Sequence, residues 1–235
     1  MMRKYRQVAD QLLEEVAQGK YKNELRLPTE DKLMTEYNVS RNTLRSAIDV
    51  LVDKSILYRV QGSGIYIRKP VYPDTITINS IRGFKEEFKS KETHSKVIEL
   101  EQLEADEEIS QKLHCEIGTP VYFVHRMRYI ENEPFSIEYS YFNKTIIPYL
   151  GREIAENSIY GYIENDLNLT IGFADKYISV EKLAKMDSDH LQLTEADPSL
   201  VIEETVYLSN GTLFNHSRVI HNYKHAKFFA LAKNW

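Results

Sequence analysis

Ser40-Arg41-Asn42-Thr43, followed by Arg45, is the run of side chains best suited to bond a nucleic acid. Arginine offers a planar fork to guanine O6 and N7, asparagine can bond adenine through two atoms, and serine and threonine hydroxyls suit phosphate oxygens. A second polar set comes later in the chain. Arg126 and Arg128, two apart in a strand-like run, share a face and can clamp an anion with two guanidinium forks. Pairing across the 131–134 loop would set Glu138 opposite Arg128 on that same face. Ser158 and Tyr160 follow Asn157 at the start of a helical stretch, where free amides and the helix dipole favour phosphate or carboxylate. Plainer readings stand beside each set: a capped surface helix, a cross-strand salt bridge on a solvated sheet face, and an N-cap without a ligand.

The elements that must position the first set are legible in the apolar spacing. Tyr5, Val8, Ala9, Leu12, Leu13 and Val16 predict an amphipathic helix over 4–18, ended near Gly19. Thr29 with Glu30 and Asp31 announces a second helix, whose buried side is Leu33, Met34 and Tyr37, and Asn38-Val39 breaks it. Ser40 caps a third, with Leu44, Ala47, Ile48 and Leu51 inward. Two short helices joined by a tight turn, the second with a basic polar N-terminal end, form a helix-turn-helix pattern. Residues 56–60 and 65–68 then read as a hairpin with Gln61-Gly62-Ser63-Gly64 at its tip, a wing. Gly62 lets backbone approach a groove, or serves the turn alone.

With 235 residues the chain is long enough for two domains, and 42% hydrophobic with 28% charged residues is a globular composition. Residues 1–70 hold 13 Lys and Arg against 9 Asp and Glu, a net of +4 that leaves −9 of the total −5 for the remainder: a mildly basic head on an acidic body. No apolar run is long enough to span a bilayer and no secretory h-region opens the chain, so the expected location is the cytoplasm, with no membrane partner. One cysteine, Cys115, excludes an internal disulfide. His221 and His225 have a zinc-compatible spacing without a third ligand, and no phosphate-binding loop, nucleophile elbow or dinucleotide fingerprint is present; no metal, cofactor or catalytic residue is expected.

The run LPTEDKLMTEYNVSRNTLRSAIDVLVDKSILYRVQGSGIYI resembles the winged-helix domain of the GntR family of bacterial transcription regulators, over nearly all of residues 3–69. The resemblance implies DNA contacts from Ser40, Arg41, Thr43, Arg45 and Gly62, with Asn42 as a base or phosphate contact. The chain departs from the family at Glu24 and Ser55, where glycine is usual, and at Asp31, which cannot donate to phosphate.

Beyond a Pro-containing connector, strand-like runs at 95–103, 121–130, 135–142, 177–183, 201–209 and 213–222 alternate with helical stretches near 83–90, 105–114, 145–155, 157–167 and 187–193. Hairpin signals at 130–134 and 209–212 imply an antiparallel sheet and an α+β class. This half resembles the UTRA ligand-sensing domain of the HutC branch, which has a chorismate-lyase-like fold. The stretches VYFVHRMRYIENEPFSIEYSYF, ENSIYGYIENDLNLTIGFADKYISVE and LSNGTLFNHSRVIHNYKHAKF carry the likeness, closest to regulators that respond to phosphorylated sugars. It implies an effector pocket lined by Arg126, Arg128, Glu138, Ser158 and Tyr160; Lys85 replaces hydroxyl donors usual beside Phe84.

The expected organisation is therefore a winged helix-turn-helix domain at 1–70, a linker at 71–79 and an effector-binding and dimerisation domain at 80–235. The expected function is a homodimeric repressor of a sugar operon, released from a palindromic operator on double-stranded DNA by a small effector, a sugar phosphate. The alternative from another class is an enzyme of chorismate-lyase-like fold acting on a small anionic substrate. A third, an adaptor using a surface rich in the chain's 16 tyrosines, leaves the SRNTLR helix and the wing without a role.

Overall fold

A computed structural model describes residues 4–68, 75–81, 83–230 and 232. The chain divides into two compact units. The first holds α1 (Lys4–Ala17), α2 (Glu30–Tyr37), α3 (Arg41–Asp53), β1 (Leu57–Val60) and β2 (Gly64–Ile67). Its core is built by the expected stripes: Val8, Ala9 and Leu12 of α1 meet Leu33, Tyr37, Leu44, Ala47, Ile48 and Leu51, closed by Leu57 and Ile65 of the wing. The Ser40 side chain accepts from the Thr43 amide, as its N-cap reading requires. Thr29 differs: its backbone is extended ahead of α2, but its side chain makes no capping bond. The strand pair β1–β2 gains a third partner, because Leu27 N donates to Ile65 O and Ile67 N to Leu25 O.

Helix α3 ends on Ser55, which stands at φ 59° while Ile56 N donates to Leu51 O and Ser55 N to Val52 O. This is the Schellman arrangement that ordinarily takes glycine, so the departure noted at Ser55 puts a β-carbon into the left-handed region.

The second unit comprises β3 (Ile76–Thr77), α4 (Phe84–Glu87), β4 (Thr93–Glu104), α5 (Glu107–Leu113), β5 (Pro120–Ile130), β6 (Glu133–Asn143), α6 (Arg152–Glu156), α7 (Ile159–Asn165), β7 (Ile171–Lys182), α8 (Lys185–Leu191), β8 (Pro198–Leu208), β9 (Leu213–Asn222) and β10 (Phe228–Phe229). Six strands form one antiparallel sheet in the order β4-β5-β6-β9-β8-β7. Helices α6 and α7 cover one face, Ala155 and Ile159 packing over Val124, Phe142 and Phe214. On the opposite face, α5 packs over Val121 and Leu213, and Leu191 of α8 joins Met127, Ile137 and Ile220.

Two features were not expected. Residues 76–77, read as linker, form a strand that pairs in parallel with Phe228–Phe229 and belongs to the second unit. The stretch 69–74 lies outside the described residues. The helix expected over 145–155 begins only at Arg152, because Pro148 and Gly151 interrupt it.

Candidate functional sites

The first candidate site is the N-terminal end of α3. Ser40, Arg41, Asn42 and Arg45 are exposed, and Thr43 is half-buried with its hydroxyl 2.9 Å from that of Ser40. Both arginines are held by acids of α2. Arg41 Nη2 lies 2.7 Å from Asp31, and Arg45 donates to both oxygens of Glu30 at 3.1–3.2 Å. The forks are thus oriented at the surface by partners that compete weakly for them in water, since exposed pairs contribute little to stability. At the wing tip Gly62 has φ 73° with open space where a β-carbon would sit. Arg26 donates to Ser63 O and its guanidinium stands over the Tyr66 ring, bracing that tip.

The second site is a cleft of about 140 Å³ on the α6–α7 face of the sheet. It brings together Arg126, Arg128, Glu138, Ser158 and Tyr160. Glu138 sits opposite Arg126 and not, as the hairpin count suggested, opposite Arg128, whose partner is Ser136. The turn is the tight two-residue Glu131-Asn132, both at positive φ, and a bulge at Arg128/Tyr129 then shifts the register by one. Arg128 lies on the diagonal and still reaches the carboxylate.

Glu138 consequently binds two guanidiniums. Arg126 donates to it through Nε (3.1 Å) and Nη2 (2.8 Å), Arg128 through Nε (2.9 Å) and Nη2, and Ser140 adds its hydroxyl at 2.7 Å. Arg126 Nη1 also donates to Ala155 O, and Arg128 Nη1 to Ser95 Oγ at 3.3 Å. Burial alone would push the Glu138 carboxyl up; the two arginines overcome it and hold it well below the usual carboxylate range. For Arg128, burial and then the neighbouring Arg126 bring the guanidinium down to about 10. Two buried cations facing one buried anion leave one positive charge without a partner inside the triad, under the Phe84 ring 4.9 Å from Arg128.

Ser158 caps α7, accepting from the Gly161 amide at 3.1 Å, and its hydroxyl lies so near Gly83 that any side chain there would crowd it. Tyr160 donates to Asn215 Oδ1 at 3.2 Å; burial, Glu204 and Glu138 keep it protonated. Lys85 is not among the residues that line the cleft: it is exposed, donating to Asn157 Oδ1 at 2.9 Å, and lines a neighbouring depression.

Lys176 and Glu204, which sequence reasoning passed over, also line the cleft. They are directly opposed on β7 and β8, 3.4 Å apart. The signal was a charge interrupting an apolar alternation, Ala174-Lys176-Ile178 on one strand and Ile202-Glu204-Val206 on the next. Ile76, Thr77 and Ser80 complete one wall; Glu87 accepts from Thr77 N at 2.7 Å, and Lys176 donates to Ser80 O at 2.9 Å. His221 is a buried strand residue between Phe135 and Phe228, and among the described residues no three acids, histidines or cysteines converge on a metal position.

A model of bacterial regulatory proteins of the gntR family matches residues 4–67, and a UTRA-domain model matches 89–227. The chain is 32% identical over 234 residues to the uncharacterized HTH-type transcriptional regulator YydK of Bacillus subtilis (strain 168), covering 100% of this chain and 99% of the relative. It is 33% identical over 231 residues to the mannosyl-D-glycerate transport/metabolism system repressor MngR of Escherichia coli (strain K12), covering 97% and 95%. The crystal structure of YydK is similar with a TM-score of 0.85 at 31% identity over 99% of this chain and 100% of that one. The effector binding domain of the B. subtilis trehalose repressor TreR matches with a TM-score of 0.55 at 30% identity, covering 60% and 99%.

Proposed function

Since the chain belongs to the gntR family of bacterial regulatory proteins, carries its UTRA domain and is a transcription regulator, we propose that it represses a sugar uptake or metabolism operon and is released from its operator by a phosphorylated sugar. The observation that carries the effector class is the buried triad: two guanidiniums against one carboxylate present a local net positive charge at one end of the cleft, while Lys176 with Glu204 and Glu87 lie elsewhere in its lining. The relatives support a regulator over an enzyme, and two of them are repressors of mannosyl-D-glycerate and trehalose systems.

On this reading Ser40, Arg41, Asn42, Thr43, Arg45 and Gly62 contact DNA, and Arg126, Arg128, Ser158 and Tyr160 receive the effector, with Glu138 orienting both arginines. Lys85 contributes at most from the rim. The protein acts in the cytoplasm as a homodimer whose two heads read the halves of a palindrome; among the described residues no helix is long and apolar enough to cross a membrane. The effector works by binding one arrangement of the dimer better than the other, because a ligand shifts an equilibrium only through differential affinity. Ile76, Thr77 and Ser80 wall the cleft directly after the connector, and through them occupancy bears on the segment that leads to the head.

The test is fluorescence anisotropy of the protein on DNA from its own promoter region, at fixed salt, titrated with 6-phosphates of trehalose, cellobiose and glucosamine. Release by one of them is the expected outcome. Tight, specific binding unaffected by all of them would retain the DNA reader and discard the phosphate assignment.

A further inference from the structure

One polar row crosses the floor of the effector cleft. The strand register aligns Ser140 on β6, Ser217 on β9, Glu204 on β8 and Lys176 on β7, side by side on the cleft face. The neighbouring row, Glu138-Val219-Ile202-Ile178, is apolar beyond the triad. Glu138 and Glu204 stand two strands apart, a backbone separation of roughly 10 Å at about 4.8 Å per strand. The cleft therefore has two charged poles with different character.

The triad pole is saturated: every Glu138 oxygen accepts bonds from arginine or serine. The second pole is not. Among the described residues Glu204 has one polar partner, the Lys176 ammonium 3.4 Å from Oε1, and that oxygen is closed off from solvent without a well-aligned bond. Its side chain is only 15% exposed, and burial pushes the carboxyl up, with Lys176 opposing. Lys176 itself is fixed by its bond to Ser80 O. A largely buried carboxylate with a single donor has acceptor capacity to spare and is ordinarily satisfied by some further partner. Glu204 lines the cleft, so an occupant of the cleft can supply the further donors.

We propose that Glu204, steadied by Lys176, reads the sugar of the effector: with its phosphate held near Arg126 and Arg128, ring hydroxyls donate to Glu204, so that inorganic phosphate alone fills only half the site. This rests on the sugar-phosphate reading above. The polar row gives a sugar two kinds of partner, an acceptor at Glu204 and a hydroxyl at Ser217, while Ser140 is buried on Glu138, and the apolar row beside it offers Val219 and Ile202 to the ring.

The experiment is calorimetric titration of the full chain with inorganic phosphate and with the 6-phosphates of glucose, trehalose and glucosamine. The wild-type protein should bind the best sugar phosphate at least tenfold more tightly than inorganic phosphate. Glu204→Gln, nearly the same shape, should lose about tenfold for that sugar phosphate and stay within about twofold for inorganic phosphate. The double variant Lys176→Met/Glu204→Gln leaves no orphaned charge, guards against misfolding of the single variant, and should show the same selective loss. Unchanged sugar-phosphate binding in both variants would overturn the assignment. So would an equal loss for sugar phosphate and inorganic phosphate, which marks a structural role. A wild-type protein that binds none of the phosphates would instead overturn the sugar-phosphate reading on which the assignment stands.

Discussion

The two units use the same chemistry, arginine against carboxylate, to opposite ends. In the head Arg41 and Arg45 pair with Asp31 and Glu30 at the surface, their side chains 52% and 55% exposed. In the body Arg126 and Arg128 pair with Glu138 at 4% and 12% exposure. Water makes the first kind of pair exchangeable, so a phosphate or a base edge can displace the acid at small cost. Burial makes the second kind a fixture, because removing either sign strands the other in a poorly solvated site. An exposed pair holds its arginine loosely; a buried one stores a charge.

Four experiments break or sharpen that contrast. Glu138→Ala should have the largest effect, destabilising the second unit by roughly 3–5 kcal/mol in denaturant unfolding, since two buried guanidiniums lose their common acceptor. A loss below about 1 kcal/mol would show the triad to be as exchangeable as the head pairs.

Acid should act next, and on the body. His221 is buried, which brings its imidazole down from 6.5 to about 4. The unfolded chain takes up that proton below about 6.5 while the folded one refuses it down to about 4, so stability falls as pH drops through this window, by up to roughly 3 kcal/mol. Glu138, held low, keeps its contribution down to the ordinary carboxylate range, where the unfolded chain begins to take up the proton, and loses it progressively as the pH falls further. Unfolding midpoints from pH 7 to 4.5 check this, with His221→Asn expected to flatten the slope.

Arg45→Ala should weaken operator binding roughly ten- to hundredfold at matched salt while leaving the head's unfolding midpoint unmoved. A shift in the midpoint would mean that the Arg45–Glu30 pair is structural after all. The smallest effect is on the head's stability, where backbone should matter more than charge: Ser55→Gly should stabilise by about 1 kcal/mol, because the left-handed conformation there costs a side chain and costs glycine nothing. No gain in thermal unfolding would mean that the Ser55 side chain compensates elsewhere.

The legible parts of the molecule were those governed by neighbours in sequence. Ser40 as a cap, the inward stripe of α3 and the strand 213–222 follow from local period and propensity. The position of Ser55 stood out because glycine is usual there, and its backbone explains why. What escaped depends on register or on distant partners. The bulge at Arg128/Tyr129 moved Glu138 to Arg126 by one residue, which no count across a loop could supply. Starting β7 at Tyr177 instead of Ile171 left Lys176 outside the strand and so concealed its pairing with Glu204. The acids of α2 were read for their helix dipole, whereas their side chains reach across to α3. Nothing local marks Ile76–Thr77 as a strand, because its partner lies about 150 residues away.

That short parallel pair has a mechanical consequence. Ile76 N donates to Lys227 O and Ile78 N to Phe229 O, so the entry and the exit of the domain are clasped together. In a parallel pair the chain enters one strand and leaves the other at opposite ends, so tension between those points loads both hydrogen bonds in shear, together. The clasp therefore yields all at once instead of peeling, and when it yields it carries away Ile76 and Thr77, which wall the cleft. A pull on the chain thus bears on the same two residues that form part of the cleft wall.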